Sequence, residues 1–286
     1  MRKKEQKLEE MGVRRFRPGK AFRSLRAKVG LAIVLAFVLI AVLAPYLAPN
    51  DPLLVNVVEK LKGPSAAFPL GTDQLGRCEL SRLIWGSRYS LLYSFMVLGI
   101  TILIGVPIGL IAGYVGGRLD SVIMRVIDVF MAVPAFVVAL AIAGTLGASG
   151  RNLVFSMSLV FWAQYARLTR ALTLQVKGQN YMMALRAGGC GNARILFRHV
   201  LRNIAPSIIV MATPEIGILI LHIASFSFLG LGVQAPAPEW GIMLSGSREY
   251  LQTHPELMVI PGVTIFIVVL AFNLLGEGIQ DGLSAE

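Results

Sequence analysis

The sequence predicts an all-α membrane protein with six transmembrane helices, on three observations. Of its 286 residues, 55% are apolar and only 15% are charged, whereas ordinary soluble domains carry roughly 25% charged residues. Several stretches reach the roughly 20 mostly apolar residues that cross a bilayer as a helix. The net charge of +11 is clumped: residues 1–28 hold eleven Lys/Arg against three acids, and residues 167–205 hold seven against none. Basic segments beside membrane spans mark cytoplasmic loops that lie near anionic lipid, so membrane lipid rather than nucleic acid is the expected partner of this charge.

Taken in order, residues 1–28 form a basic cytoplasmic tail. The run VGLAIVLAFVLIAVLAPYLA (29–48) is as long as a full span and longer than the core of a cleaved signal, so it is the first transmembrane helix. Residues 49–87 form an extracytoplasmic loop. A core follows over 88–281, with spans near 90–115, 121–147, 152–172, 206–231 and 258–279 and a basic connection at 173–205. These spans are rich in Gly and Pro, as in GVPIGLIAGYVGG and at Pro134, Pro214 and Pro261. Small residues let helix backbones approach closely in lipid, and proline is tolerated where neighbouring groups satisfy the freed carbonyl. With the N-terminus inside, the inner side carries 20 Lys/Arg and the outer side 7. That bias puts both termini in the cytoplasm. Cys78 then lies outside and Cys190 inside, beyond disulfide reach.

Several chemistries are absent. The nearest approach to a phosphate-binding loop, GVRRFRPGKA, has six residues between its glycines rather than four, and Ala21 where a magnesium-binding hydroxyl belongs. There is no HExxH and no GxSxG, and His199, His222 and His254 lie far apart in sequence. Nothing points to an enzyme.

The segment NYMMALRAGGCGNARILFRHVLRN (180–203) is basic, lacks acids and is broken by glycine. It predicts two membrane-surface helices joined by a glycine turn. The second starts with Asn192 as N-cap and presents Ala193, Phe197, Val200, Leu201 and Ile204 on one face, with Arg194, Arg198 and Arg202 along the flank. Such a pair suits either a groove on another protein or a layer of lipid headgroups. Two acids fall within spans, where charge is costly. Asp128 is expected to pair with Arg125 one turn away. Glu215 has no local partner and suits either a translocation path or water at the inner side.

The same segment resembles the "EAA" loop of permease subunits in binding-protein-dependent ABC importers. Ala184 and Gly189 match its alanine and glycine, and Ile195, His199, Leu201 and Asn203 match the helix that follows. Met183, Leu185 and Arg202 depart from the usual Glu, Ala and Pro. LGTDQLGR (70–77), RVIDVFMAVP (125–134), YARLTR (165–170), FLGLG (228–232) and PEWG (238–241) resemble the dipeptide, oligopeptide and nickel branch, in family order. The resemblance implies a type-1 ABC transmembrane domain in a bacterial or archaeal cytoplasmic membrane. Its partners would be a second permease, two ATP-binding subunits that hold ATP and magnesium, and an external substrate-binding protein. This chain would bind no cofactor itself. Ala184, Gly189, Ile195 and Arg198 would couple it to the ATPase. Glu215 and His222 are candidates for the translocation path. A histidine just before FSFLGLG (226–232) resembles the nickel branch, so a nickel or other transition-metal chelate is the first expected substrate and di- or oligopeptides the second. Imidazole suits nickel, although His222 could equally serve a hydrogen bond between helices. An ion-coupled carrier, the alternative class, would show an internal repeat, and none is visible.

Overall fold

The computed structural model describes residues 24–284, so the basic tail lies outside it up to residue 23. Almost everything described is helical. The first span is α1 (Leu25–Leu47). A long loop leads to α2 (Glu79–Val115), which is followed by α3 (Gly117–Met131), α4 (Ala135–Leu146) and α5 (Gly150–Lys177). A short helix, α6 (Asn180–Ala187), precedes α7 (Asn192–Phe228). Another short helix, α8 (Trp240–Ser247), precedes the last, α9 (Glu256–Ser284).

By length and composition, α1, α2, α7 and α9 can each cross a membrane, and α3 with α4, bent by 78° at their break, adds a fifth if the pair is one span. The predicted continuous span 121–147 is therefore broken, and the cause is Pro134. Proline lacks an N–H and disfavours helix in the residue before it, so α3 stops at Met131 and α4 restarts at Ala135. The fourth predicted span corresponds to α5, whose 28 residues reach about 42 Å at the helical rise. Arg151, Arg167, Arg170 and Lys177 make it less apolar than its neighbours.

Packing explains the glycines. Gly105, Gly109 and Gly113 recur every four residues along one face of α2, and α5 lies against that face. A Cβ on Gly105 would stand 2.5 Å from the Trp162 carbonyl oxygen, and one on Gly113 would stand 2.8 Å from Thr173 Cβ. Close backbone approach of this kind replaces hydrophobic driving force between helices in lipid.

Both described ends of the chain lie at one end of the bundle. Arg26 pairs with Glu277 at 3.6 Å and with Asp281 at 3.9 Å. Lys177 Nζ donates to the Tyr114 carbonyl at 2.6 Å, which brings the ends of α2 and α5 together. This basic end also carries α6 and the start of α7. The far end carries the loop 48–78, the turn after α4, and α8. There PEWG (238–241) acts as a wedge. The buried Trp240 donates from Nε1 to the Leu83 carbonyl at 3.1 Å and stands edge-on to Phe37. Glu239 caps α8 by accepting from the Ile242 N–H at 3.1 Å, and Ser90 Oγ donates to its other oxygen at 3.1 Å. Complete burial pushes the Glu239 carboxyl above the usual range, and these hydrogen bonds pull it part of the way back.

Candidate functional site

The basic loop is built around a helix terminus. α6 ends in a Schellman motif: Gly189 N–H donates to the Arg186 carbonyl and Cys190 N–H to the Leu185 carbonyl, each at 3.0 Å. That motif needs its C′ residue in the left-handed region, and Gly189 has φ +74°. The turn projects from the bundle, with Met183 63% exposed and Ala184, Arg186 and Gly189 also exposed. A Cβ on Gly189 would meet nothing within 4 Å. Within this chain the glycine therefore serves its backbone angle and not a close approach.

The arm after the turn differs from expectation in three ways. It is no separate surface helix but the base of α7, continuous from Asn192 to Phe228 over 37 residues. The N-cap is Gly191, while Asn192 Oδ1 accepts instead from the Tyr114 hydroxyl at 2.8 Å. The buried face also matches the predicted one only at Val200 and Ile204. Residues Ile195–Val200 wind as a π-helical turn, so Leu201 N–H donates to the Leu196 carbonyl five residues back. Burial then falls on Ile195, Val200, Ile204 and Ile208, with a first step of five residues, and Phe197 is left 64% exposed. Such single π turns are frequent at functional sites.

The predicted coupling residues consequently separate. Ala184 and Gly189 share the projecting turn, and Arg198 is exposed on the arm beyond it. Ile195 is fully buried and anchors the arm from within. Other residues also hold the loop; of these only Asn203 had a signal in the sequence, as a motif match. Met182 is buried, Asn203 Nδ2 donates to the Tyr181 hydroxyl at 3.0 Å, and Tyr114 receives cations on its ring from Lys177 at 5.8 Å and Arg186 at 5.6 Å. Tyr114, at the end of α2, thus touches both arms of the loop.

Asp128 and His222 settle differently from their expected partners. Asp128 pairs with Arg167 of α5 and not with Arg125, because bending at Pro134 lays α3 along α5. Arg170 grips Asp120 with two nitrogens, the second contact at 2.6 Å. RVIDVFMAVP and YARLTR therefore meet in space. Glu215 and His222 lie on α7, seven residues apart, and among the described residues neither makes an ion pair. The His222 ring lies against Phe136 at 5.1 Å and Phe161 at 5.5 Å, and its Nδ1 has no hydrogen-bond partner. The interhelical hydrogen bond expected of it is absent at that nitrogen. Among the described residues, no three His, Cys, Asp or Glu side chains converge as a metal ligand set.

Comparison with known proteins agrees with this geometry. Residues 105–285, which include the turn and all of α7, match the family described as "Binding-protein-dependent transport system inner membrane component". The chain belongs to this family. Residues 20–64 match the N-terminal transmembrane domain of oligopeptide transport permease C. The chain is 40% identical to a dipeptide transport system permease protein of Alkalihalophilus pseudofirmus, over 93% of this chain and 89% of the relative. It is 39% identical to the nickel transport system permease protein of Escherichia coli K12, over 92% and 95% of the two chains. A di/tripeptide transport system permease protein of Pseudomonas aeruginosa is 41% identical over 90% and 87%. This inner-membrane transport family comprises permease components of ABC importers, and the relatives are permeases rather than enzymes. Nickel and peptide relatives are equally near, so the resemblance of His222 to the nickel branch does not separate the two substrates.

Proposed function

We propose that this chain is one of two permease subunits that form the translocation path of an ATP-driven importer, and that α6 with its glycine turn docks on a cytoplasmic ATPase. The observation that carries this reading is the projecting Schellman turn. It is braced from inside by Met182, Ile195 and Tyr114, yet offers Met183, Ala184 and Arg186 outward. A surface helix held only by lipid headgroups has no need of such a brace. The basic end faces the cytoplasm in this reading, since Lys/Arg-rich loops stay inside. ATP and its magnesium belong to the partner subunits, and an external binding protein delivers the solute.

As substrate we favour a small peptide, in line with the dipeptide and di/tripeptide relatives. Nickel is the second reading, favoured by the nickel relative and by a histidine within α7. In that case the chain would pass a chelate rather than hold the ion, because a lone imidazole is too small a ligand set.

Ala184→Arg tests the docking. Ala184 is exposed, so the variant should insert and accumulate normally. Bulk and charge on the docking face should cut ATP-driven uptake at least tenfold and lose the ATPase on purification. A lipid-facing helix would instead gain affinity for anionic headgroups. Normal uptake by Ala184→Arg would therefore reject the docking assignment.

A further inference from the structure

At the far end, a cavity of about 300 Å³ opens between the loop before α2, the end of α7, α8 and the start of α9. Its wall contains four charged side chains that are almost fully buried: Asp73, Arg77, Glu79 and Arg82. They are not equally satisfied. Asp73 has all the donors it can use. Its Oδ1 accepts from the Leu75 N–H at 2.8 Å and the Arg77 N–H at 2.9 Å. Its Oδ2 accepts from Arg77 Nε at 2.7 Å and lies 3.4 Å from Arg82 Nε. Glu79 differs: it is 2% exposed, its Oε1 has no hydrogen-bond partner, and among the described residues no cation lies within ion-pair distance. Of the Arg77 guanidinium nitrogens, only Nε makes a hydrogen bond among the described residues.

A buried carboxylate without a donor is costly, and native interiors leave few such groups without a reason. Glu79 and Arg77 both line the same cavity. The volume is at the lower limit of ligand pockets, roughly 300 Å³, and Leu75, Ile242, Met243 and Leu257 supply an apolar wall. A solute that answers all of these demands is small, partly apolar, and carries a primary ammonium and a carboxylate. We propose that this cavity binds a small zwitterion such as a free dipeptide, with Glu79 accepting from its primary ammonium and the Arg77 guanidinium donating to its carboxylate. The permease itself then selects for the free amino terminus after the binding protein has released the solute. This inference rests on the peptide reading of the substrate.

The test uses the full chain, co-expressed with its partner permease and ATPases, purified without the binding protein and placed in lipid nanodiscs. The probes are radiolabelled alanyl-alanine and unlabelled N-acetyl-alanyl-alanine, which lacks the ammonium. Saturable binding of alanyl-alanine is expected, with the acetylated peptide competing at least tenfold more weakly. Glu79→Gln should lower alanyl-alanine affinity at least tenfold and abolish that preference, while Glu79→Asp keeps part of it. Absent binding, equal competition by the acetylated peptide, or unchanged affinity in an assembled Glu79→Gln complex would each overturn the site. The comparison of the two peptides needs only the wild-type protein, so it decides even if Glu79→Gln fails to assemble. Dipeptide uptake by the deletion strain separates the two readings. Uptake lost on deletion without binding to the complex removes the cavity alone. Uptake unaffected by deletion, together with absent binding, removes the peptide reading as well.

Discussion

At Gly189 the backbone φ is +74° and an added Cβ would meet open space, so conformation and contact can be tested separately. A non-glycine residue in the left-handed region costs roughly 1–2 kcal/mol, but asparagine visits it through local hydrogen bonds. Gly189→Asn should keep the turn and most of the uptake, whereas Gly189→Val should unwind the end of α6 and abolish coupled ATP hydrolysis. Equal failure of both variants would mean that an ATPase approaches the glycine too closely for any side chain, which reassigns its role from angle to contact. This residue was legible in the sequence because a glycine run between basic helical patterns leaves few other readings. Tyr114 was not legible, since its partners Lys177 and Asn192 lie 63 and 78 residues away. Its hydrogen bond is worth about 1 kcal/mol, and each exposed cation on its ring about 0.5–1 kcal/mol. Tyr114→Phe keeps the ring and both cation contacts but loses the bond to Asn192, so it should speed exchange over 180–192 only slightly. Tyr114→Ala loses all three contacts and should speed hydrogen exchange over 180–192 while α2 itself stays protected. Equal protection of that segment in both variants would remove Tyr114 as a brace.

Among the elements, periodicity located the spans but not their continuity. Pro134 breaks a predicted helix, whereas Pro206 and Pro214 lie inside α7 without ending it. The difference is context: α7 packs on α2, α5 and α9 along its length, and tertiary contacts hold the freed carbonyls in place. The π turn at Ile195–Val200 hid the buried face for a related reason, because a pattern drawn at 3.6 residues per turn misses a step of five. Close packing of α2, in contrast, was legible in its glycine-rich run, although its partner α5 was not. Gly109 lies at the centre of the α2–α5 seam, and a Cβ there would stand 2.8 Å from Thr173's neighbour one turn earlier, Thr169 Cβ. Gly109→Leu must push α5 away from α2. The expected result is a chain that inserts but is degraded or fails to assemble, with thermal stability of any purified complex lowered by several degrees. Gly99→Leu is the control, since nothing lies within 4 Å of a Cβ there and the variant should behave as wild type. If Gly109→Leu matches that control in yield and stability, the seam is looser than these distances state.

For the whole molecule, the decisive property is that its two ends differ. The basic end gathers both described chain ends, the glycine turn of α6 and the unbroken base of α7. The far end gathers the wedge of α8 and the cavity lined by Asp73, Arg77, Glu79 and Arg82. A single helix of 37 residues, about 55 Å long at the helical rise, connects them. This arrangement transports inward only if the basic end is cytoplasmic, and charge counts alone support that orientation. Native cysteines give half of the test. Cys190 lies in the turn and is partly accessible, but Cys78 is buried at the far end, so its silence towards a reagent carries no information. Val58, 79% exposed in the loop before α2, supplies the missing reporter as Val58→Cys. In intact cells a membrane-impermeant maleimide should label Val58→Cys in a chain lacking Cys190, and should label native Cys190 only after permeabilisation. The reverse pattern would turn the molecule over in the membrane. The projecting turn would then face away from any cytoplasmic ATPase, and the docking proposal would fall with the orientation.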